Sequence, residues 1–292
     1  MNPALLISAE ELRADLGQGV SENPGLLLVD CRFNLAAPDE GRSQWLEGHI
    51  PGAVYADLDR DLAAPVTPTS GRHPLPECER FAAWLASVGW RPGMRMVAYD
   101  AQGGAFAARL WWLMKYFGQP VVQLLDGGLP AWLAMDGELA QGEESVSPTA
   151  VANILAVLQP QAGMVLDVLA LQDALREGSV ALLDARDPAR FAGQVEPIDP
   201  VAGHVPGAHN RPFNFSLDDR GRFLDSTDLR ADFDDRLEDR ASDTVVHMCG
   251  SGVTACHNLF AMELVGLAGS RLYPGSWSEW IRDPKRGVAR NS

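Results

Sequence analysis

The sequence predicts an α/β fold built twice: two tandem domains, each a parallel sheet flanked by helices. Three observations carry this expectation. Short apolar runs such as Leu26-Leu-Leu-Val-Asp30 alternate with longer stretches of helical periodicity. The turn Gly48-His-Ile-Pro-Gly-Ala53 returns as Gly203-His-Val-Pro-Gly-Ala208. Other segments recur at the same distance of about 150 residues, too long for a solenoid and fit for a duplicated domain.

Ser8-Ala-Glu-Glu11 reads as a capping box opening a short helix to about Leu16. The run from Leu26 is a buried strand ending in the acid Asp30. Ser43 begins a turn or short helix carrying Trp45, and a polar, Pro-rich loop spans about Asp59 to Pro76. A helix through Phe81, Trp84 and Val88 follows, then a strand from Met94 to Tyr99. After Asp100-Ala-Gln-Gly-Gly104 come a helix through Trp111, Trp112 and Tyr116, a strand from Val121 to Leu125, and a last helix near Trp132. From Gln141 to about Gln161 the pattern lapses around one apolar run, Ala152 to Leu158. This is expected to be a packed connector rather than a flexible tether. Domain limits are placed at 1–140 and 165–292, with 141–164 between, and each half is expected to fold around its own sheet.

The second half repeats the first. Val180-Ala-Leu-Leu-Asp184 matches Leu26 to Asp30, and Val245-Val-His-Met-Cys249 matches Met96-Val-Ala-Tyr-Asp100. Tyr273-Pro-Gly-Ser-Trp-Ser-Glu-Trp280 matches Leu125 to Trp132. Asp30 to His49 and Asp184 to His204 are nearly equal separations. Because His49 and His204 recur in both halves, they are read as turn-stabilising residues.

The 292 residues carry a formal charge of −15, which argues against nucleic acid or an anionic membrane as partner. Any anionic substrate must be held by local arginines. The opening Met1-Asn-Pro-Ala-Leu-Leu-Ile-Ser8 lacks a secretory pattern, and no apolar run reaches transmembrane length. Cys31, Cys78, Cys249 and Cys256 have neither metal-ligand spacing nor a disulfide framework. A cytoplasmic protein without metal or cofactor is the expectation.

Chemistry concentrates in Cys249-Gly-Ser-Gly-Val-Thr254. A cysteine at a strand tip, followed by a glycine-lined loop opening a helix, lies among N–H groups with no intrahelical partner, which favour a thiolate. Gly250 and Gly252 admit close approach of those N–H groups. A buried structural cysteine is the competing reading. The duplication favours chemistry: the equivalent position in the first half is Asp100, and cysteine and aspartate do not substitute for each other in packing. The position is read as a loop mouth, with only the second copy catalytic. The loop also matches a dinucleotide fingerprint, but the next strand, Ser270 to Pro274, ends without the required acid. A phosphatase loop would want His before the cysteine and Arg six residues after, where Met248 and Ala255 stand.

The paired Gly-His-Ile/Val-Pro-Gly-Ala turns, the duplication and Cys-Gly-Ser-Gly-Val-Thr-Ala255 together resemble the rhodanese family of sulfurtransferases over essentially the whole chain. The uncharged loop is similar to the branch that uses 3-mercaptopyruvate; branches specific for thiosulfate carry basic residues after the cysteine. The resemblance implies two rhodanese-like domains and a Cys249 persulfide that passes sulfur to a thiol, reduced thioredoxin or cyanide, with release of pyruvate. It implies Arg186 and Arg190 as holders of the donor's carboxylate and keto group. Arg72, Gly250, Gly252, Val253 and Thr254 fall on the binding side and Trp277 on the pocket frame. Ser251, His73 and Asp59 carry over as a proton relay. His247 and His257 are read as packing or surface residues and Cys256 as a buried helix cysteine. Thiosulfate as donor, or a non-catalytic sulfur-carrier module, are the rival readings.

Overall fold

In the computed structural model, residues 5–17, 25–119 and 122–291 are described. The first half runs β1 (Leu6–Ile7), α1 (Ala9–Gly17), β2 (Leu26–Asp30), α2 (Glu40–Glu47), β3 (Ala53–Tyr55), α3 (Cys78–Ser87), β4 (Arg95–Tyr99), α4 (Ala107–Tyr116), β5 (Val122–Leu125) and α5 (Gly128–Ala134). After the short α6 (Val151–Leu155), the second half runs α7 (Val168–Glu177), β6 (Ala181–Asp184), α8 (Pro188–Ala192), β7 (His209–Asn210), α9 (Ser226–Leu237), β8 (Val245–Met248), α10 (Ala255–Leu264), β9 (Arg271–Leu272) and α11 (Ser276–Trp280). Two all-parallel sheets result, ordered β1-β5-β4-β2-β3 and β7-β6-β8-β9.

Local chemistry explains the element ends. At α1, Ser8 Oγ accepts from Glu11 N at 3.2 Å and Glu11 Oε2 accepts from Ser8 N at 2.9 Å, the reciprocal capping box. Helix α2 starts at Glu40, before the expected Ser43; Asp39 O accepts from Ser43 N, so the turn is already wound there. Val121, expected in the strand before α5, and Met1–Ala4 lie outside the described residues. The equivalent histidines do the same work in both turns. His49 Nδ1 bonds Trp45 O at 2.7 Å, and His204 Nδ1 bonds Phe191 O at 2.8 Å.

Strand residues alternate between two cores, as the pleat requires. Leu28, Val97 and Tyr99 face an outer core with α1 and α5, while Leu27, Val29, Met96 and Ala98 face inward. In the second half, Leu182, Val246 and Met248 face outward; Leu183 and Val245 face inward. The inward faces of both halves join one continuous cluster, in which α4 packs on α10 with Trp111 edge-on to Phe260 at 5.0 Å. Each such ring contributes about 1.5–3 kcal/mol by leaving water. Each half therefore has its own sheet and its own outer core, and the two halves share an inner core. Residues 141–164 lie mainly against the first half, where Thr149 N donates to Ala86 O, Gln159 N to Phe117 O, and Glu144 Oε1 accepts from Gly52 N. Among the described residues no helix is long and apolar enough to cross a membrane, and no group of three His, Cys, Asp or Glu is placed to hold a metal ion.

Candidate active site

Parallel strands β6 and β8 end side by side, and the loops that follow them form a pocket where the halves meet. This cavity of about 230 Å³ is lined by Cys249, Gly250, Ser251, Val253 and Thr254 from the loop after β8, and by Arg186 and Arg190 from the segment after β6. The first half supplies Arg72, Gln102 and Phe106 to the same wall. A wider cleft of about 380 Å³ in the first half, between Trp45, Tyr55 and Trp84, has no cysteine in its lining.

The loop after β8 is held from behind. Trp277 N donates to Cys249 O at 3.0 Å, Ser278 N to Gly250 O at 2.9 Å, and Ser276 Oγ accepts from Cys249 N at 3.1 Å. Gly252 N reaches Cys249 Sγ at 3.2 Å. Among the described residues, the N–H groups of Gly250, Ser251, Val253 and Thr254 have no acceptor within the chain. They are available to an anion at the sulfur.

The first-half loop shows what such amides do. Asp100 is fully buried, and its carboxylate accepts from the N–H groups of Gln102, Gly104, Phe106 and Ala107 at 2.7–2.9 Å. The reading of this position as an open loop mouth is thus corrected: in the first half it is an enclosed anion cradle filled by the chain's own carboxylate. Burial costs little here because four donors replace the lost water.

The two loop glycines have different reasons. Gly252 sits at φ +78°, and a Cβ there would lie 2.4 Å from Pro274 O. Gly250 has no such backbone need, but its Cβ would meet Arg72 Nη2 at 2.9 Å. Gly252→Ala should therefore combine a left-handed strain of about 1–2 kcal/mol with a backbone clash. A melting temperature lowered by several degrees and at least tenfold weaker kcat/KM are expected, read by thermal unfolding and steady-state rates.

Beside Cys249, Ser251 Oγ lies 2.7 Å from His73 Nδ1, and His73 Nε2 lies 3.0 Å from Asp59 Oδ1. The three residues expected as a relay meet across the two halves. Only Ser251 lines the cavity; Asp59 is half-exposed behind His73. Burial lowers the His73 pKa, with the Asp59 carboxylate opposing that shift.

The arginines are less free than the sequence suggests. Arg186 holds Asp184 through Nε and Nη2, and Nη2 also donates to Gly203 O at 2.9 Å. Arg32, Asp30 and Gly48 repeat this arrangement in the first half, so part of Arg186's work is structural. Among the described residues its Nη1 has no hydrogen-bond partner, the Glu196 carboxylate standing 3.5 Å away. Trp277 stacks behind Arg186 at 4.8 Å instead of facing the cavity, and Gly252 contributes its amide rather than lining. Arg190 donates to Glu196 at 2.7 Å and to Asp199 at 3.2 Å, and Arg72 donates to Asp199.

The other expectations fall on structural residues. Cys256 is buried, its Sγ 3.4 Å from Gly252 O, and burial pushes its thiol up to about 12. Burial lowers His247 to about 3 and His257 to about 4. His257 Nε2 donates to Gly103 O at 2.9 Å, across the interface.

One residue escaped sequence reasoning. Arg109, in the middle of α4, is fully buried and donates to Gly252 O at 2.9 Å and to His73 O at 3.1 Å. It ties the cysteine loop and the histidine to one guanidinium. A lone charge in Ala107-Ala-Arg-Leu-Trp-Trp-Leu113 was the available signal.

A thiol under unfilled amides, with a hydroxyl–imidazole–carboxylate chain at its side, is equipped for covalent transfer, and only the second copy of the scaffold has it. The molecule is thus a thiol-dependent transferase on a duplicated α/β frame. Its sequence matches the Rhodanese-like domain at residues 8–135 and 167–283, and the chain belongs to the rhodanese family of sulfurtransferases. It is 48% identical over 291 residues to a Pseudomonas aeruginosa protein provisionally named 3-mercaptopyruvate sulfurtransferase, covering 99% of both chains. It is 40% identical to a Mycobacterium tuberculosis protein provisionally named thiosulfate sulfurtransferase SseB, covering 99% of this chain and 98% of that one. The crystal structure of SseA, a 3-mercaptopyruvate sulfotransferase of Escherichia coli, superposes with a TM-score of 0.78 at 29% identity, covering 94% and 99% of the two chains. Partners at the site are accordingly small sulfur donors and acceptors.

Proposed function

We propose that the protein is a 3-mercaptopyruvate sulfurtransferase, with 165–292 as its catalytic domain, 141–164 as linker and 1–140 as the domain that completes the site. The observation that carries the choice of donor is the Ser251–His73–Asp59 chain beside Cys249. Thiosulfate brings no S–H proton, and its sulfite leaves as an anion. Mercaptopyruvate must lose a thiol proton and gain one on carbon, so a proton relay serves only the second donor.

In this reading the Cys249 thiolate forms an S–S bond with the donor sulfur. The C–S bond breaks, and its electron pair passes to the carbon that becomes the pyruvate enolate. The thiol proton, taken up through Ser251 and His73, returns to that carbon, leaving pyruvate and a Cys249 persulfide anion under the loop amides. A second thiolate (a small thiol or reduced thioredoxin) or cyanide then attacks the outer sulfur and restores Cys249. Arg186 Nη1 and Arg190 hold the donor's carboxylate and keto oxygen, with Arg72 opposite. A cytoplasmic site of action fits the free thiols. Thiosulfate remains the alternative donor, the one in the name of the Mycobacterium tuberculosis relative.

The test is intact-protein mass after adding 3-mercaptopyruvate: a gain of one sulfur atom with matching pyruvate release is expected, and an unmodified protein sinks the proposal. Arg190→Lys keeps the charge but loses the fork, so KM for 3-mercaptopyruvate should rise. Charged hydrogen bonds are worth about 1.5–3 kcal/mol, so kcat/KM should fall roughly tenfold to a hundredfold. Unchanged kinetics would return Arg190 to a surface role. Arg186→Lys should in addition lower stability through its lost fork on Asp184.

A further inference from the structure

The cavity arginines belong to one continuous row of alternating charge. Arg72 donates to Asp199, whose other oxygen takes Arg190 at 3.2 Å; Arg190 holds Glu196 at 2.7 Å. Glu196 lies 3.5 Å from Arg186 Nη1, and Arg186 holds Asp184 at 2.7 Å. Three cations and three carboxylates cancel when all are ionised. The three carboxylates are not equivalent. Asp184 accepts from Arg186 N and repeats the Asp30–Arg32 pair of the first half. Glu196 shapes its own loop by accepting from Ile198 N and Asp199 N. Among the described residues, the Asp199 carboxylate has arginine partners alone, one from each half of the chain.

Resting on the sulfur-transfer reading above, we infer that Asp199 determines donor specificity: its single negative charge, set between Arg72 and Arg190, takes the row from +1 to neutral, so that a dianion gains nothing over a monoanion at the cavity. The argument is one of multiplication. Field energy scales with the row's net charge times the donor's charge. Against a neutral row, mercaptopyruvate (one carboxylate, its thiol protonated) and thiosulfate (two charges) are drawn equally, and shape and proton transfer decide. Against a row of +1, thiosulfate gains twice what mercaptopyruvate gains. Asp199 is 8% exposed, so water screens the effect only partly.

The experiment compares wild type, Asp199→Asn and Asp199→Glu with both donors at low and raised salt. Asn removes the charge at nearly constant shape. It should raise thiosulfate kcat/KM relative to mercaptopyruvate roughly tenfold, about 1.4 kcal/mol, mainly through KM and less at high salt. Glu keeps the charge and should keep the wild-type ratio. An unchanged ratio in the Asn variant, or the same shift in the Glu variant, overturns the role; a loss shared by both donors marks a merely structural residue and does the same. If the Asn variant does not fold, Arg72→Gln, at a partly exposed position, makes the row −1 and should move the ratio further from thiosulfate. Movement toward thiosulfate there overturns the inference. A wild type that takes sulfur from neither donor overturns the sulfur-transfer reading, and the Asp199 role with it.

Discussion

Cys249→Ser should abolish sulfur transfer from any donor, a loss of at least about 10⁴-fold, because the covalent intermediate cannot form. A serine hydroxyl stays protonated near neutrality and is a poor nucleophile toward sulfur. Fold and donor affinity should survive, since Ser fits the same volume and the loop is held through its backbone by Ser276, Trp277 and Ser278. Cys31→Ser, Cys78→Ser and Cys256→Ser should keep most activity. Burial holds the Cys31 and Cys256 thiols well above their ordinary range and raises Cys78 as well. None of these three lines the cavity. Pyruvate release and protein mass, measured on all four variants, decide it; full turnover by Cys249→Ser would end the persulfide mechanism.

What the sequence made legible was local or repeated. Strand-end acids, the two Gly-His-x-Pro-Gly-Ala turns and the cysteine loop are contiguous, and each is checked by its copy about 150 residues away. The Ser251–His73–Asp59 approach came through the family resemblance, since nothing in the spacing of residues 59, 73 and 251 brings them together. Long-range facts were hidden for physical reasons. That the inner core is shared depends on how α4 meets α10, which periodicity within either helix does not encode. Arg109 and His257 each reach a glycine carbonyl in the opposite half, Gly252 and Gly103, and such crossed ties exist only after docking. Asp199 looked like one more acid in a chain of charge −15. Its role rests on Arg72, far away in sequence, lying on the opposite wall. Asp100 was misread as lying at a loop mouth because burial is not a property of residue type: four convergent amides make a buried carboxylate acceptable.

His73→Asn should separate the two donors. The variant keeps a polar group near Ser251 but cannot carry a proton, so turnover of 3-mercaptopyruvate should fall about 10²- to 10⁴-fold, the usual worth of general acid–base catalysis. Thiosulfate has no proton to move, so its turnover should change by less than about tenfold, and the donor ratio reports the relay rather than damage to the fold. The pH profile gives an independent reading. Burial lowers the folded-state pKa of His73, so the ring is neutral near pH 7 and takes a proton only at lower pH. The acid limb of kcat/KM for mercaptopyruvate should therefore lie below the ordinary histidine value of about 6.5. Asp59→Asn removes the carboxylate that favours the imidazolium and should move that limb further down. The sign for stability follows from the same shift. As pH falls through about 6.5, the unfolded chain binds a proton that the buried ring does not, so His73's contribution to stability, present above that pH, is lost on acidification. Steady-state rates with both donors from acid to neutral pH test all of this. Equal losses for the two donors in His73→Asn, or an acid limb unmoved by Asp59→Asn, would leave His73 as a structural link between the halves and return the choice of donor to the arginines.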